Sequence, residues 1–156
     1  MRVNLFNSVL GADGVIGLDV EKTFKCTAVS ITEPCGVVSM MRDLFSIHKK
    51  TEEYVYLLCL NTKGVPVGIF EVSHGTLNAS FVSVRDTFKK ALLLNAASMI
   101  LVHNHPSGNP TPSVEDKRIF DALTQAGELM DIKLLDSLII GNLTYYSFCE
   151  KKEQVA

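Results

Sequence analysis

The sequence lacks the paired cysteines that mark thiolate metal sites and redox motifs. Its four cysteines are far apart, and none belongs to a C-x-x-C pair: Cys26, Cys35, Cys59 and Cys149. This gives no support to a cysteine-bound zinc site or a thioredoxin-like motif. Long apolar runs are missing too, because Asn95 and Ser98 interrupt the most apolar stretch, and a bilayer span needs about 20 residues. With no signal-peptide pattern at the N-terminus, we expect a cytoplasmic protein with free thiols and no membrane association.

The sequence also lacks an excess of either positive or negative charge. The formal net charge is -2, and the basic residues are dispersed in pairs such as Lys49-Lys50 and Lys117-Arg118. No basic surface for nucleic acid is predicted, so direct nucleic-acid binding should be weak or absent. The 156 residues are 47% apolar and 21% charged, which is ordinary for one globular domain with a buried core.

Strand-like and helix-like patterns alternate along most of the chain. Apolar residues recur at helical spacing after Gly36, Ser83 and Ser113, and both serines are suited to cap a helix N-terminus. Short apolar runs predict strands at five places: 54–60, 65–72, 98–103, 132–140 and 143–148. Interleaved elements of this kind predict an α/β fold, with a mixed β-sheet flanked by helices.

The segment 103–116, HNHPSGNPTPSVED, concentrates side chains that can bind metal. His103 and His105 are two residues apart at the end of a predicted buried strand, so their imidazoles should point to the same face. The stiff loop after them can return the chain, which would place Asp116 in the first turn of the next helix, facing both histidines. Two imidazoles and one carboxylate match a catalytic zinc site with one position left for water.

Each part of this pattern also has a plainer interpretation. Two histidines can simply end a strand, and Ser113 with Asp116 resembles a capping box, in which the carboxylate stabilises the helix N-terminus. The segment Ser83–Asp86 has the same Ser-x-x-Asp spacing without a histidine pair nearby. The combination of H-x-H with Ser-x-x-Asp across one stiff loop favours a metal site more than either motif alone.

The spacing H-x-H-x7-S-x2-D resembles the signature of the JAB/MPN (JAMM) metalloproteases. The longer HNHPSGNPTPS, followed by Leu134-Leu135-Asp136, is similar to the RadC-like branch of that family. We accordingly assign residues 36–150 to a RadC-like JAB/MPN domain. Residues 1–35 are expected to be an N-terminal extension, in which glycines break the periodicity and only residues 24–31 resemble a strand. Residues 151–156 are expected to be a tail.

The resemblance implies a cytidine-deaminase-like three-layer sandwich, one Zn²⁺ per chain and hydrolysis of a peptide or isopeptide bond. It implies that His103, His105 and Asp116 are the metal ligands. Ser113 would donate a hydrogen bond to the oxyanion of a tetrahedral intermediate.

The family also uses a glutamate before an apolar strand as general acid and base, and Glu53 occupies that position here. A carboxylate entering a buried strand is otherwise costly, which favours a role for it. Glu52 and Glu71 are the alternatives. One departure from the family is Ser137, which follows Asp136 where RadC-like chains commonly have a histidine, so any help from that histidine is absent.

The predicted function is therefore that of a zinc metallopeptidase acting on a protein or peptide substrate. The alternative is a non-catalytic binding or scaffold module in DNA repair or DNA metabolism that retains its metal site. Longer relatives carry an N-terminal helix-hairpin-helix-type domain linked with DNA repair, for which the N-terminal segment here is too short. A zinc nucleobase deaminase would need H-x-E and P-C-x-x-C motifs, and neither is present. Whether the chain forms a homo-oligomer stays open.

Overall fold

A computed structural model describes residues 1–26, 31, 33–75 and 82–155. Within these residues the chain forms eight strands, three α-helices and one short 3-10 helix (Ile47–Lys49). The elements follow one another in this order: β1 (Arg2–Leu10), β2 (Ile16–Lys25), α1 (Pro34–Phe45), β3 (Glu53–Leu60), β4 (Pro66–Gly75), α2 (Val84–Leu93), β5 (Ser98–Asn104), α3 (Val114–Met130), β6 (Lys133–Ile140), β7 (Thr144–Ser147) and β8 (Lys152–Val155).

The described strands form a single mixed sheet, ordered β2-β1-β4-β3-β5-β6-β7-β8. The pairs β1/β4 and β5/β6 are parallel, and the other neighbours are antiparallel. α1 packs on one face of the sheet, and α2 and α3 pack on the other. This confirms the predicted α/β fold, with a mixed sheet between two layers of helices.

The central strand β3 is buried on both faces. Leu58 points to the α1 side, where it packs with Met40 and Met41. Its neighbour Leu57 points to the other side, where it packs with Phe88 of α2. A strand covered on both faces needs apolar residues at consecutive positions, which explains the uninterrupted apolar run in β3. Burying each such side chain stabilises the fold by about 1.5–3 kcal/mol.

The helix starts predicted at two serines are confirmed. Ser83 is the N-cap of α2, and its Oγ accepts a hydrogen bond from the Asp86 N–H at 3.2 Å. Ser113 is the N-cap of α3. Because each cap fixes the residue at which its helix begins, the cap at Ser113 also fixes where Asp116 stands.

Both ends of the chain add strands to the sheet. β1 and β2 form a hairpin that joins β4 through the parallel register Leu5–Ile69. Of the strand expected over residues 24–31, residues 27–30 lie outside the described residues, and Phe24 and Lys25 are the last residues of β2. Residues 151–156, expected to be a tail, contain β8, which pairs with β7. The domain boundaries at residues 35 and 150 stay predictions.

No helix of the described residues combines the length and the apolar composition that a bilayer crossing requires. The four cysteines are all free thiols. Burial raises the pKa of the Cys59 thiol to about 12, so this thiol stays protonated and serves as a small apolar core residue.

Gly127 fixes how closely α3 approaches β6. A Cβ at this position would lie 2.6 Å from the carbonyl oxygen of Ile132. Within a helix, alanine is usually more stabilising than glycine by about 1 kcal/mol. At this position, however, the added Cβ would force the backbone to move. We expect Gly127→Ala to reduce the free energy of unfolding by about 1–3 kcal/mol, measured by urea titration.

The exposed neighbour on the same helix provides the control for Gly127→Ala. Gln125 is exposed on α3, so Gln125→Ala should change stability by no more than about 0.5 kcal/mol. Equal stability of the Gly127→Ala variant and the parent would show that α3 can move away from β6 without cost.

Candidate metal centre

Two histidines lie at the end of β5, where this strand leaves the sheet. His103 is only 4% exposed, and His105 is the first residue after the strand. Their Nε2 atoms are 3.2 Å apart. The strand alternation thus places both imidazoles on one face, as the H-x-H pattern predicts.

Asp116 meets the two imidazoles from the first turn of α3. Its Oδ1 lies 3.1 Å from Nε2 of His103, and its Oδ2 lies 3.4 Å from Nε2 of His105. The backbone N–H and the hydroxyl of Ser113 both donate to Oδ2 at 2.7 Å, and the Asp116 N–H donates to Ser113 Oγ at 3.1 Å. The capping box and the histidine contacts are therefore present together, and the cap aims the carboxylate at the histidines.

The three side chains have the spacing of ligands around one small cation. Zinc with nitrogen and oxygen ligands at 2.0–2.2 Å in tetrahedral geometry requires ligand atoms about 3.3 Å apart. The two Nε2 atoms are 3.2 Å apart, and each lies 3.1 or 3.4 Å from a different oxygen of the Asp116 carboxylate. One ligand atom from each of the three residues can be chosen so that all three lie within 4.8 Å of one another. His103, His105 and Asp116 could thus hold a metal ion, and no other cluster of three histidine, cysteine or acidic side chains in the described part of the chain is close enough to do so.

A backbone carbonyl fixes the orientation of one imidazole. Nδ1 of His105 lies 2.9 Å from the carbonyl oxygen of Asn109, which can only accept a hydrogen bond. In the neutral imidazole the proton is therefore on Nδ1, and the electron pair of Nε2 is available to a metal ion. In the protonated imidazole, Nε2 also carries a proton and can donate it to Asp116. Partners of this kind set the tautomer of metal-binding histidines.

The charges in the cluster favour an ionised carboxylate. Burial alone would raise the pKa of Asp116, but hydrogen bonds from His103 and His105 hold it well below its usual range. Burial alone would lower the pKa of His105, whereas hydrogen bonds to Asp116 and to the Asn109 carbonyl bring about a net rise. The charge of Glu53 adds to that rise. An ionised carboxylate is the form that a cation requires.

Glu53 begins β3 and lies beside the same cluster. Val55 is opposite His103 in the antiparallel register of β3 and β5, so the start of β3 adjoins the end of β5. Glu53 shares a strand face with Val55, which packs on the α2–α3 side. A cavity of about 30 Å³ is bordered by Glu53, His103 and Asp116.

The two alternative glutamates are directed elsewhere. Oε2 of Glu52 lies 4.0 Å from Nε2 of His74, and Oε1 of Glu71 lies 3.0 Å from Nδ1 of the same histidine. His74 in turn stacks on Tyr54, with ring centroids 5.0 Å apart. Of the three glutamates considered from the sequence, Glu53 alone borders the cavity.

Asn104 stands between the two histidines but was not predicted from the sequence as a site residue. Its side-chain carbonyl accepts from the Tyr54 N–H at 2.8 Å, and its amide nitrogen donates to the Glu52 carbonyl at 3.0 Å. The amide thus binds the backbone on both sides of Glu53. Its near-complete burial, at 1% exposed, requires such partners, and an asparagine inside a predicted buried strand was the available signal.

Residues 31–154 match the family model described as "RadC-like JAB domain". The chain belongs to this family. The UPF0758 protein of Alkaliphilus metalliredigens is 40% identical over 136 residues, which cover 87% of this chain and 58% of the relative. That of Thermotoga maritima is 41% identical over 114 residues, 69% and 51% of the two chains. The chain spans about half the length of the curated relatives it matches, and their names state no activity.

One position of this RadC-like JAB domain departs from the pattern that the resemblance implies. Ser137, at the position of the family histidine, is 3% exposed and lines the same cavity as His103 and Asp116. Asp136 does not line this cavity. Its oxygens accept from Ser147 Oγ of β7 at 2.6 Å and from the Cys149 N–H after β7 at 2.9 Å, so it joins β6 to β7 and to the segment that follows. The structure thus brings all five predicted site residues of the RadC-like JAB domain together, and their chemical roles stay predictions.

Proposed function

We propose that this RadC-like JAB domain is a zinc-dependent hydrolase that cleaves peptide or isopeptide bonds with metal-activated water. The observation that carries the proposal is one cavity bordered by two side chains of the metal cluster, His103 and Asp116, and by the separate carboxylate of Glu53. Glu115 also borders this cavity, but it is 63% exposed and lies 3.7 Å from Arg118. Two imidazoles and one carboxylate suit zinc and leave its fourth position open to water or substrate. An open position is typical of catalytic zinc sites, whereas structural sites are closed.

A zinc ion held by these residues would supply a water with a pKa of about 7 and would polarise a substrate carbonyl. Glu53 is placed for the accompanying proton transfer, because it borders the cavity without belonging to the ligand group and its charge acts on His105. Its carboxylate would take a proton from the attacking water and return it to the leaving nitrogen. Asn104, which binds the backbone on both sides of Glu53, keeps that carboxylate at the cavity.

Ser113 would stabilise the negative charge that develops on the substrate oxygen. Its hydroxyl now donates to Oδ2 of Asp116, but that oxygen also accepts the Ser113 backbone N–H at 2.7 Å. The hydroxyl can therefore turn toward substrate while Oδ2 keeps a hydrogen bond. A donor fixed by a helix cap needs little reorganisation to stabilise an oxyanion.

The dimensions of the cavity favour an extended substrate. Its volume of about 30 Å³ suffices for about one water molecule, so the scissile bond must be presented from outside. An extended segment of a protein or peptide can bring a backbone or isopeptide carbonyl to such an opening. Dispersed surface charge, by contrast, would neutralise few phosphates at once, so DNA affinity should be weak and fall steeply with salt.

The test begins with the metal content and cleavage activity of the whole chain. We expect about one zinc ion per chain by elemental analysis and cleavage of at least one member of a library of peptides and isopeptide-linked peptides. Treatment with a chelator should stop cleavage, and added zinc should restore it.

Two results would contradict the proposal in different ways. Absence of stoichiometric divalent metal, even after reconstitution with zinc, would reject the metal site. A zinc-loaded chain that cleaves no library member, and that binds DNA tightly at near-physiological salt whether or not it carries His103→Ala, would favour the binding module in DNA metabolism.

A further inference from the structure

Arg42 lies on the opposite face of the sheet from α3, yet it contacts the turn that adjoins the metal-site loop. Arg42 is in the last turn of α1. Its Nη2 donates to the carbonyl oxygen of Asn142 at 2.9 Å and to that of Gly141 at 3.3 Å. One cationic group thus holds two carbonyls of the turn between β6 and β7, and hydrogen bonds from a charged donor are the stronger ones.

This turn is packed directly against the loop that follows His105. The Asn142 N–H donates to the Gly108 carbonyl at 3.1 Å. Gly141 lies so close to Gly108 that a Cβ on Gly141 would collide with the Gly108 carbonyl oxygen and would come within 3.0 Å of Pro110 Cδ. A displacement of the turn therefore has to displace the loop.

The loop in turn holds the metal ligand. The Gly108 N–H donates to the His105 carbonyl at 2.9 Å, and the His105 N–H donates to the Ile140 carbonyl at 3.1 Å. The next loop residue, Asn109, provides the carbonyl that accepts from Nδ1 of the His105 ring at 2.9 Å. The backbone and the ring of His105 are thus both fixed by groups adjoining the turn that Arg42 holds.

We propose that Arg42 is a positioning residue for the metal ligand His105. Its guanidinium fixes the turn at Asn142, the turn fixes Gly108, and the Asn109 carbonyl then keeps the His105 proton on Nδ1 and its Nε2 free for metal. The inference rests on the proposed metal site. Partners outside the ligand group of a metal site change metal affinity by about 10–100-fold.

The first measurement is made on metal-free protein and reports the His105 tautomer. Long-range ¹H–¹⁵N NMR at alkaline pH, where the imidazole is neutral, distinguishes a proton on Nδ1 from one on Nε2. We expect Nδ1–H in the parent chain and a mixture of the two tautomers in Arg42→Met. Arg85→Met is the matched control, because Arg85 is an exposed helical arginine on α2, and it should show the parent tautomer.

The second measurement is the zinc dissociation constant, obtained by competition with a chromogenic chelator. Arg42→Met should weaken zinc binding about tenfold or more, and Arg42→Lys should recover part of the loss, because it keeps the charge but not the planar guanidinium. Arg85→Met should bind within about twofold of the parent. If Arg42→Met does not fold, the His105 tautomer and the zinc dissociation constant are measured on Arg42→Gln instead. The shorter glutamine side chain cannot reach both carbonyls, so the same changes are expected.

The two measurements separate this inference from the proposed function. A parent chain that binds no zinc defeats the proposed function, whereas the tautomer comparison still decides the role of Arg42. A folded Arg42 variant with the parent tautomer, and with zinc affinity within twofold wherever the parent binds zinc, would overturn the inference. A shifted tautomer with weakened zinc binding would support it.

Discussion

Glu53→Gln is expected to lower the turnover of a cleavable peptide by about 10²–10⁴-fold, while about one zinc ion per chain stays bound. Glutamine keeps the size of the side chain but cannot accept and return a proton. Glu53 borders the cavity and is not among the three clustered ligands, so coordination should be preserved. Steady-state kinetics and elemental analysis of the same preparation measure both effects.

The matched control for Glu53→Gln is the same change one residue earlier. Glu52 has the same charge but lies near His74, at 4.0 Å, so Glu52→Gln should keep turnover within about twofold, as expected for a surface substitution. Full activity of Glu53→Gln would show that another group transfers the proton. Loss of its zinc would instead show that Glu53 belongs to the coordination sphere.

Asp116→Ala is expected to weaken zinc binding by more than about 100-fold, because partners that do not touch the metal already account for 10–100-fold. The change removes the carboxylate that faces both imidazoles, at 3.1 and 3.4 Å from their Nε2 atoms. Hydrolysis should be lost with the metal at ordinary zinc concentrations. Competition with a chelator of known affinity measures the change.

Two further variants separate coordination from helix capping. Asp116 also closes the capping box of α3, and loss of a cap destabilises a protein by about 1 kcal/mol. Asp116→Asn keeps an oxygen that can accept from Ser113, so weak zinc binding in this variant cannot be attributed to an unwound helix. Glu115→Ala removes an adjacent carboxylate, 63% exposed and 3.7 Å from Arg118, and should bind zinc as the parent does. Equal losses in the Asp116 and Glu115 variants would mean that only local charge matters.

The parts of the site that could be predicted from sequence depend on short-range geometry. His103 and His105 share a face because side chains alternate along a strand, and Asp116 stands in a first helical turn because Ser113 caps it. All three lie within fourteen residues, so a single loop decides whether they meet. Successive side chains of a strand point to opposite faces, so Glu52 and Glu53 are expected to point in opposite directions once the start of β3 is known.

The parts that could not be predicted depend on contacts between distant segments. Nothing in the glycine-rich start of the chain indicates that β1 pairs in parallel with β4 at Leu5 and Ile69, because a parallel pairing leaves no local turn signal. Arg42 reaches a turn about 100 residues away, and a single arginine near a helix end has many possible surroundings. Local patterns specify elements and side-chain faces, whereas these contacts follow from the order of strands in the sheet.

The double use of Asp116 links the integrity of the site to the start of α3. The carboxylate closes the capping box and also meets both imidazoles, so fraying of the first helical turn and disassembly of the ligand cluster are one event. A cation that binds only the intact cluster, at a concentration 100 times its dissociation constant, would raise the free energy of fraying this turn by about 2.7 kcal/mol. Proteolytic nicking of the proline-rich loop before α3 would then be suppressed by the cation, and the resistance of the chain to proteases would follow the supply of metal.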